Sequence, residues 1–239
     1  MSILSSHDPI GSILLVGASR GLGHAMAAEL AERGWSVTAT VRTPSLPGPL
    51  ADLAKARPDR VAVETLDITE PSQIADLRSR LGERRFDILF VNAGTANLHQ
   101  EETIAEVSTE EFVRVMVTNA LGVMRAVEGL CGLVGADGTI GVMSSGQGSV
   151  ANNTRGGHEV YRGSKAALNQ YMRSFAARHA NDPRPMVLMA PGWVRTELGG
   201  GDAPLSIEES IPKVVDVLLA QKGRPGLRYL DRNGETVPW

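Results

Sequence analysis

Short apolar runs rich in Val, Ile and Leu alternate along the chain with stretches of helical spacing, which is the pattern of βαβ units and a parallel sheet. The apolar runs predict strands over Ser12–Val16, Ser36–Val41, Arg60–Leu66, Phe86–Val91, Gly138–Met143, Met186–Ala190 and Leu227–Leu230. The unbroken runs Ile13-Leu14-Leu15-Val16 and Ile88-Leu89-Phe90-Val91 suit central strands covered on both faces. Helices are predicted over Gly21–Arg33, Ser72–Leu81, Thr109–Leu133, Tyr161–His179 and Ile207–Ala220. Ser108 with Glu111, and Ser206 with Glu209, have capping-box spacing at two of these starts. Pro212 lies inside the last segment, which is therefore expected to kink or to begin later. The whole is an α/β pattern, a doubly wound parallel sheet of about seven strands with helices on both faces. Strand candidates spread over residues 1–239 leave no room for a second domain. The Pro-rich piece Thr43–Pro49 and the run Gly199-Gly200-Gly201 read as mobile surface loops rather than linkers.

Composition narrows the function. The chain has 24 Lys and Arg against 27 Asp and Glu, a net charge of -3, which argues against a constitutive nucleic-acid binder. Cys131 is the only cysteine, which excludes a disulfide scaffold and a cysteine-rich zinc site and suggests a reducing compartment. His7, His24, His99, His158 and His179 lack metal-ligand spacing, so no metal site is expected. His158, three residues before Tyr161, reads as an exposed loop histidine. No apolar run approaches the ~20 residues of a membrane helix. Residues Met1 to Gly11 lack the basic start and apolar middle of a signal peptide, so a cytoplasmic protein without membrane partners is expected. The 26 glycines exceed average usage by ~9 residues and need an explanation.

Part of the excess sits where the first strand runs into Gly17-Ala18-Ser19-Arg20-Gly21-Leu22-Gly23 and then into an Ala-rich helix. A glycine-rich turn at that place lets backbone N–H groups approach a pyrophosphate at the positive end of the helix dipole, the device of a Rossmann dinucleotide site. An NAD site needs an acidic side chain about 20 residues on, to bind ribose hydroxyls. From Gly34 through Leu50 there is none; Arg42 closes the second strand and Arg20 sits within the turn. Two guanidiniums so placed suit a 2′-phosphate, and NADP(H) is expected over NAD(H).

Tyr161 and Lys165 are four apart at the start of a predicted helix and share one face. An ammonium roughly 4 Å from the phenol contributes about 4 kcal/mol at an effective dielectric near 20, or ~3 pK units, which would bring Tyr161 near neutrality. Tyr161-Arg162-Gly163-Ser164-Lys165 then resembles the Y-x-x-x-K of the classical short-chain dehydrogenase/reductase family. Gly17–Gly23 resembles that family's cofactor turn, Asn92-Ala93-Gly94 its N-A-G motif, and Asn119 its helix asparagine. Ser144-Ser145 resembles its serine pair after the fifth strand, and Pro191-Gly192-Trp193-Val194-Arg195-Thr196 its P-G-x-x-x-T. These six motifs stand in the family's order and span about the whole chain. The S-S-x-x-G-S segment, the lengthened loop before Tyr161 and the ending Asp231-Arg232-Asn233-Gly234 to Pro238-Trp239 resemble the carbonyl-reductase-like branch that includes sniffer and C-factor.

The resemblance implies an oxidoreductase that interconverts a ketone or aldehyde with an alcohol. Tyr161 would exchange a proton with the substrate oxygen, Ser145 would hold that oxygen, Lys165 would tune Tyr161 and bind ribose, and Asn119 would anchor a water. Asp67 would hydrogen-bond the adenine and Ile68 pack beside it. Asn92, Ala93 and Gly94 would stabilise the central sheet and leave room for the cofactor, Pro191 and Gly192 border the cofactor, and Val194 and Thr196 touch its carboxamide. Asn97, Ser145, Trp193 and Leu198 are the expected substrate contacts, with residues 197–206 as the cover. The partner implied is a small carbonyl or alcohol, and family members often form homo-oligomers. Two departures stand out: Val16 replaces the usual threonine before the turn, and Ser145 precedes Tyr161 by 161 − 145 = 16 rather than 13 positions. Gly148 occupies the position 13 before Tyr161, and Ser145 is preferred because it directly follows the strand. The competing class, a catalytically silent dinucleotide-binding regulator, would have no need of Ser145, Tyr161, Lys165 and Asn119 together.

Overall fold

The computed structural model describes residues 9–43 and 48–239. Most of the N-terminal stretch and most of the Thr43–Pro49 piece therefore lie outside the described residues. Seven strands form one parallel sheet: β1 (Ser12–Val16), β2 (Ser36–Val41), β3 (Val61–Thr65), β4 (Phe86–Val91), β5 (Val134–Met143), β6 (Pro185–Ala190) and β7 (Gly226–Asp231). Their order is β3-β2-β1-β4-β5-β6-β7. Neighbours pair in parallel throughout.

Alternation of side chains splits the apolar strands between two cores. Leu14, Val16, Leu89, Val91, Ile140, Val142 and Leu188 face one layer. That layer is built from α3 (Pro71–Leu81), α5 (Val123–Leu130) and α6 (Glu159–Arg178). Ile13, Leu15, Ile88, Phe90 and Val187 face the other, made by α1 (Gly21–Glu32) and α7 (Ile207–Leu219). Ile13 to Leu15 and Leu89 to Val91 are fully buried, as unbroken apolar strands require.

The elements differ from the periodicity in four places. A short helix, α2 (Pro49–Ala56), begins at Pro49, where the fixed φ of proline suits a first helical position. Leu50 is its only buried residue, too little to give a period. The predicted Thr109–Leu133 helix is instead α4 (Thr109–Met116), a wider π-helical stretch Val117–Gly122, α5 and a 3₁₀ turn Cys131–Leu133. β5 starts at Val134, four residues before the prediction. Finally, α7 begins at Ile207 behind a complete Ser206/Glu209 capping box and runs through Pro212. The bond that Pro212 cannot donate belongs to the carbonyl of Glu208, an exposed residue of the first turn, so no later start is needed.

After β1 the chain builds outward through β2 and β3, then returns so that β4 lies on the other side of β1. Such a reversal opens a crevice at the carboxyl ends of the two strands, where ligands of doubly wound sheets bind. Val16 of β1 pairs with Val91 of β4, so the glycine turn and Asn92 emerge side by side at that point.

Candidate active site

The turn after β1 is held tightly. Asn92 and Ala93 donate their backbone N–H groups to Val16 O, at 2.8 and 3.1 Å, and Asn92 Nδ2 donates to Gly17 O at 2.7 Å. Gly17 has φ +86°, and a Cβ there would lie 2.7 Å from Ala93 Cα. At Gly23 a Cβ would come within 2.1 Å of Gly17 O, so only glycine lets α1 start this close to β1. Thr40 of β2, fully buried, accepts the Gly17 N–H on Oγ1 at 3.0 Å and the Ala18 N–H on its carbonyl at 2.9 Å. Thr40 was absent from the sequence expectations, and it gives the turn a hydroxyl that Val16 does not carry.

Ser19 and Arg20 are exposed beside the partly exposed Gly21 and Leu22. Arg20 Nη1 lies 2.7 Å from Glu197 Oε2. Arg42 follows β2 as an exposed side chain, with no ion pair among the described residues. Asp67 accepts from the N–H and Oγ1 of Thr69, at 2.9 and 2.7 Å, and its own N–H donates to Gln73 Oε1 at 2.8 Å. Ile68 beside it is buried in the α3/α5/α6 core.

On the other side of the crevice, β4, β5, α6 and the π-helical stretch assemble four of the predicted groups. Tyr161, in the first turn of α6, lies beside the Ser145 side chain that follows β5, near enough for Ser145 to pull its pKa down. One turn on, Lys165 is buried, and its Nζ donates to Met143 O at 3.0 Å and lies 5.9 Å from the Tyr161 ring centroid. Asn119 is fully buried; its Nδ2 donates to Thr95 O at 2.7 Å and Ser164 Oγ at 2.9 Å, and its Oδ1 accepts the Thr95 N–H at 2.8 Å. Thr95 and Ser164 were missed; Ser164, one residue before Lys165, is found only by asking which hydroxyl the buried amide can reach. The 16-residue spacing from Ser145 to Tyr161 is thus compatible with direct contact. Gly148 instead packs against α6, where a Cβ would meet Lys165 backbone at 3.0 Å.

Electrostatics here differ from the expectation. Burial pushes the Tyr161 phenol up to about 12, against the smaller opposing effect of the Ser145 hydrogen bond. Burial also brings the Lys165 ammonium down to about 8. The predicted near-neutral tyrosine assumed an ammonium facing the hydroxyl, whereas Lys165 Nζ is turned onto the Met143 carbonyl. Desolvation therefore outweighs attraction between the two groups. At neutral pH Tyr161 holds its proton and can donate it.

Two loops frame the entrance. The loop after β4 is propped by α4: Arg114 donates to Thr95 Oγ1 and Ala96 O at 3.0 and 2.7 Å, and Glu111 accepts the Leu98 N–H at 2.7 Å. The Arg114 guanidinium holds the Glu111 carboxyl down at about 2. Asn97 is buried, donates to His99 O at 2.6 Å, and leaves its Oδ1 without a partner. The loop after β6 carries buried Pro191, whose carbonyl accepts Ser210 Oγ at 2.7 Å, then Gly192, buried Val194 and Thr196. Trp193 and Leu198 are exposed, Trp193 Nε1 donates to Gly199 O at 2.7 Å, and Gln100 Nε2 reaches Leu198 O at 3.4 Å. Asn97, Trp193 and Leu198 therefore belong to two loops that meet at Gln100 and Leu198. His158 is only partly exposed and adopts φ +50° at the N-cap of α6, with Nδ1 buried and unpartnered.

A parallel sheet with this strand order, a glycine turn at its reversal and a Ser–Tyr–Lys–Asn cluster beside it define a nucleotide-dependent dehydrogenase class. The chain belongs to the short chain dehydrogenase family, whose model matches residues 12–203, and so to a family of oxidoreductases. It is similar to a short-chain dehydrogenase/reductase from Burkholderia multivorans with bound NADP, at 66% identity and a TM-score of 0.95, over 97% of this chain and 100% of that one. A carbonyl reductase from Pseudomonas aeruginosa PAO1 in complex with NADP is 36% identical, with a TM-score of 0.88 over 96% of this chain and 99% of that one. C-signal of Myxococcus xanthus is 36% identical over 64% of this chain and 92% of its own length. The likeness to the carbonyl-reductase-like branch is thus upheld. Among the described residues no helix is long and apolar enough to cross a membrane, and no cluster of metal-ligating side chains occurs.

Proposed function

We propose that the chain is an NADP(H)-dependent oxidoreductase that interconverts a ketone or aldehyde with an alcohol, using Tyr161 as the proton donor and acceptor. The observation that carries this reading is a protonated Tyr161 set beside the Ser145 side chain, with a buried Lys165 one helical turn away. Lys165 has three N–H donors and spends one on Met143 O, which leaves two for ribose hydroxyls. A Cβ at Gly94 would sit 3.4 Å from both Lys165 Nζ and Asn119 Oδ1, so the missing side chain leaves a cradle in front of that ammonium. Exposed Arg20 and Arg42 flank the glycine turn and suit a 2′-phosphate, and both NADP-bound relatives support that choice. These residues fit NADP(H).

When bound, the cofactor supplies the hydride that the carbonyl carbon accepts. Ser145 Oγ holds the substrate oxygen, and Tyr161 passes it a proton in reduction or takes one in oxidation. A phenol kept well above neutrality is, at physiological pH, in the form that donates a proton to a carbonyl oxygen. Asn97, Trp193 and Leu198, with residues 197–206, form the substrate side, and exposed Leu98, Trp193 and Leu198 give it an apolar rim.

The test is NADPH oxidation against a panel of ketones and aldehydes, with Tyr161→Phe beside the wild type. Turnover lost by at least about a hundredfold in the variant is the expected result, the usual size of a general-acid contribution. Equal rates would remove Tyr161 from the chemistry, and cofactor binding without turnover on any carbonyl would favour a silent regulator.

A further inference from the structure

The ion pair between Arg20 and Glu197 joins the two halves of the crevice. Arg20 precedes α1 and belongs to the glycine turn; Glu197 follows Thr196 in the loop after β6. The loop lies close over the turn, since Thr196 Cγ2 is 3.9 Å from where a Cβ of Gly21 would stand. Most of its polar bonds are internal: Gly199 N–H to Thr196 Oγ1, Gly200 N–H to Thr196 O, and Arg195 to Ala203 and Pro204 carbonyls. Among the described residues, the tip at 197–202 reaches polar partners outside the loop at two points, Glu197 on Arg20 and the Leu198 carbonyl on Gln100.

We propose that Glu197 is a specificity-determining residue: its carboxylate occupies Arg20 until the 2′-phosphate of NADP(H) displaces it, and this displacement frees the tip at 197–202. The inference rests on the NADP(H) reading above. A phosphate monoester carries about −1.5 to −2 charge at pH 7 against the single charge of a carboxylate, and it offers more acceptor oxygens to the same guanidinium. The exchange is cheap because both partners are open to water, with side chains 65% and 70% exposed. A cofactor without the phosphate leaves the pair closed. Cofactor choice and the freedom of the substrate cover are then one event, and the coupling works equally in both directions.

Binding of adenosine 2′,5′-bisphosphate and of 5′-ADP to wild type and Glu197→Gln, by calorimetry, tests this without turnover. Hydrogen–deuterium exchange across residues 197–202 is followed in the same four mixtures. The bisphosphate is expected to bind the variant about two- to fivefold tighter than wild type, the range of an exposed ion pair, and 5′-ADP to bind both alike. It should raise exchange across 197–202 in wild type, while the ligand-free variant already exchanges at the raised level. Equal bisphosphate affinity in the two proteins, or tighter binding with no change in exchange, overturns the role of Glu197 and leaves the cofactor assignment standing. A bisphosphate that binds wild type no tighter than 5′-ADP overturns both.

Discussion

The hydroxyl of Tyr229, on β7, donates to the backbone carbonyl of Ser145, 84 positions earlier in the chain. Tyr229 is buried, and burial raises its pKa, so it remains a donor. Ser144 and Asn169 lie beside that phenol and pull its pKa down, Ser144 Oγ donates to Asn169 Oδ1 at 2.6 Å, and Asn169 Nδ2 donates to Gly148 O at 3.2 Å. The peptide that carries Ser145 is thus gripped from β7 and from the turn of α6 after Lys165. Trp239 backs this grip, its ring 5.4 Å from that of Tyr229 and 4.5 Å from the Arg173 guanidinium.

Removing only that hydroxyl, as Tyr229→Phe, leaves the Ser145 carbonyl with the Gly148 N–H, at 2.9 Å, as its remaining donor and the serine less firmly placed. A neutral hydrogen bond contributes about 1 kcal/mol, so kcat should fall about five- to tenfold. The KM for NADPH should hold, since Tyr229 is tied to Ser145 and not to the glycine turn. Steady-state kinetics decide: a rise in the cofactor KM at constant kcat would contradict a role in placing Ser145.

Thr40→Val keeps the shape of the side chain and deletes the acceptor of the Gly17 N–H. That N–H points from the turn into a buried site, where an unsatisfied donor costs about 1–3 kcal/mol. The variant should be less stable by that amount, with a lower urea midpoint, and bind NADPH more weakly, because the turn that presents its N–H groups is loosened. Equal urea midpoints and equal affinity would show that the hydroxyl is dispensable.

Tyr229 and Thr40 also mark what the sequence leaves illegible. Apolar runs and glycine spacing place the strands, the cofactor turn and the Ser145, Tyr161, Lys165 and Asn119 cluster, because each of these is a local pattern. Thr40, Ser164 and Tyr229 act through a single hydrogen bond to a residue far along the chain, and no local pattern records it. A buried threonine in an apolar strand, as in Ser36–Val41, looks like any β-branched residue until its neighbour is known. The same limit explains Tyr161: its spacing from Lys165 was correct, but the direction of the ammonium, toward Met143 O, depends on β5. It also explains α2, whose single buried leucine leaves no periodic trace.

Lys165 gives a prediction with a definite sign. Its pKa falls from 10.5 to about 8 on folding, by burial. Between those values the unfolded chain holds a proton there that the folded chain has lost, so stability rises with pH across the interval and is lost as pH falls through about 8. At pH 7 the buried ammonium costs stability, and its charge-assisted bond to Met143 O, about 1.5–3 kcal/mol, offsets much of that cost. Lys165→Met should therefore be inactive yet at least as stable as wild type at pH 7, with a flatter dependence between pH 8 and pH 10. Tyr161 acts in the opposite sense at higher pH: its pKa is raised from 10.0 to about 12, so stability falls as pH rises through that range. Urea unfolding of wild type and variant at a series of pH values separates the two groups. A Lys165→Met protein that is less stable at pH 7 and keeps the wild-type slope above pH 8 would mean that the ammonium is not desolvated by the fold.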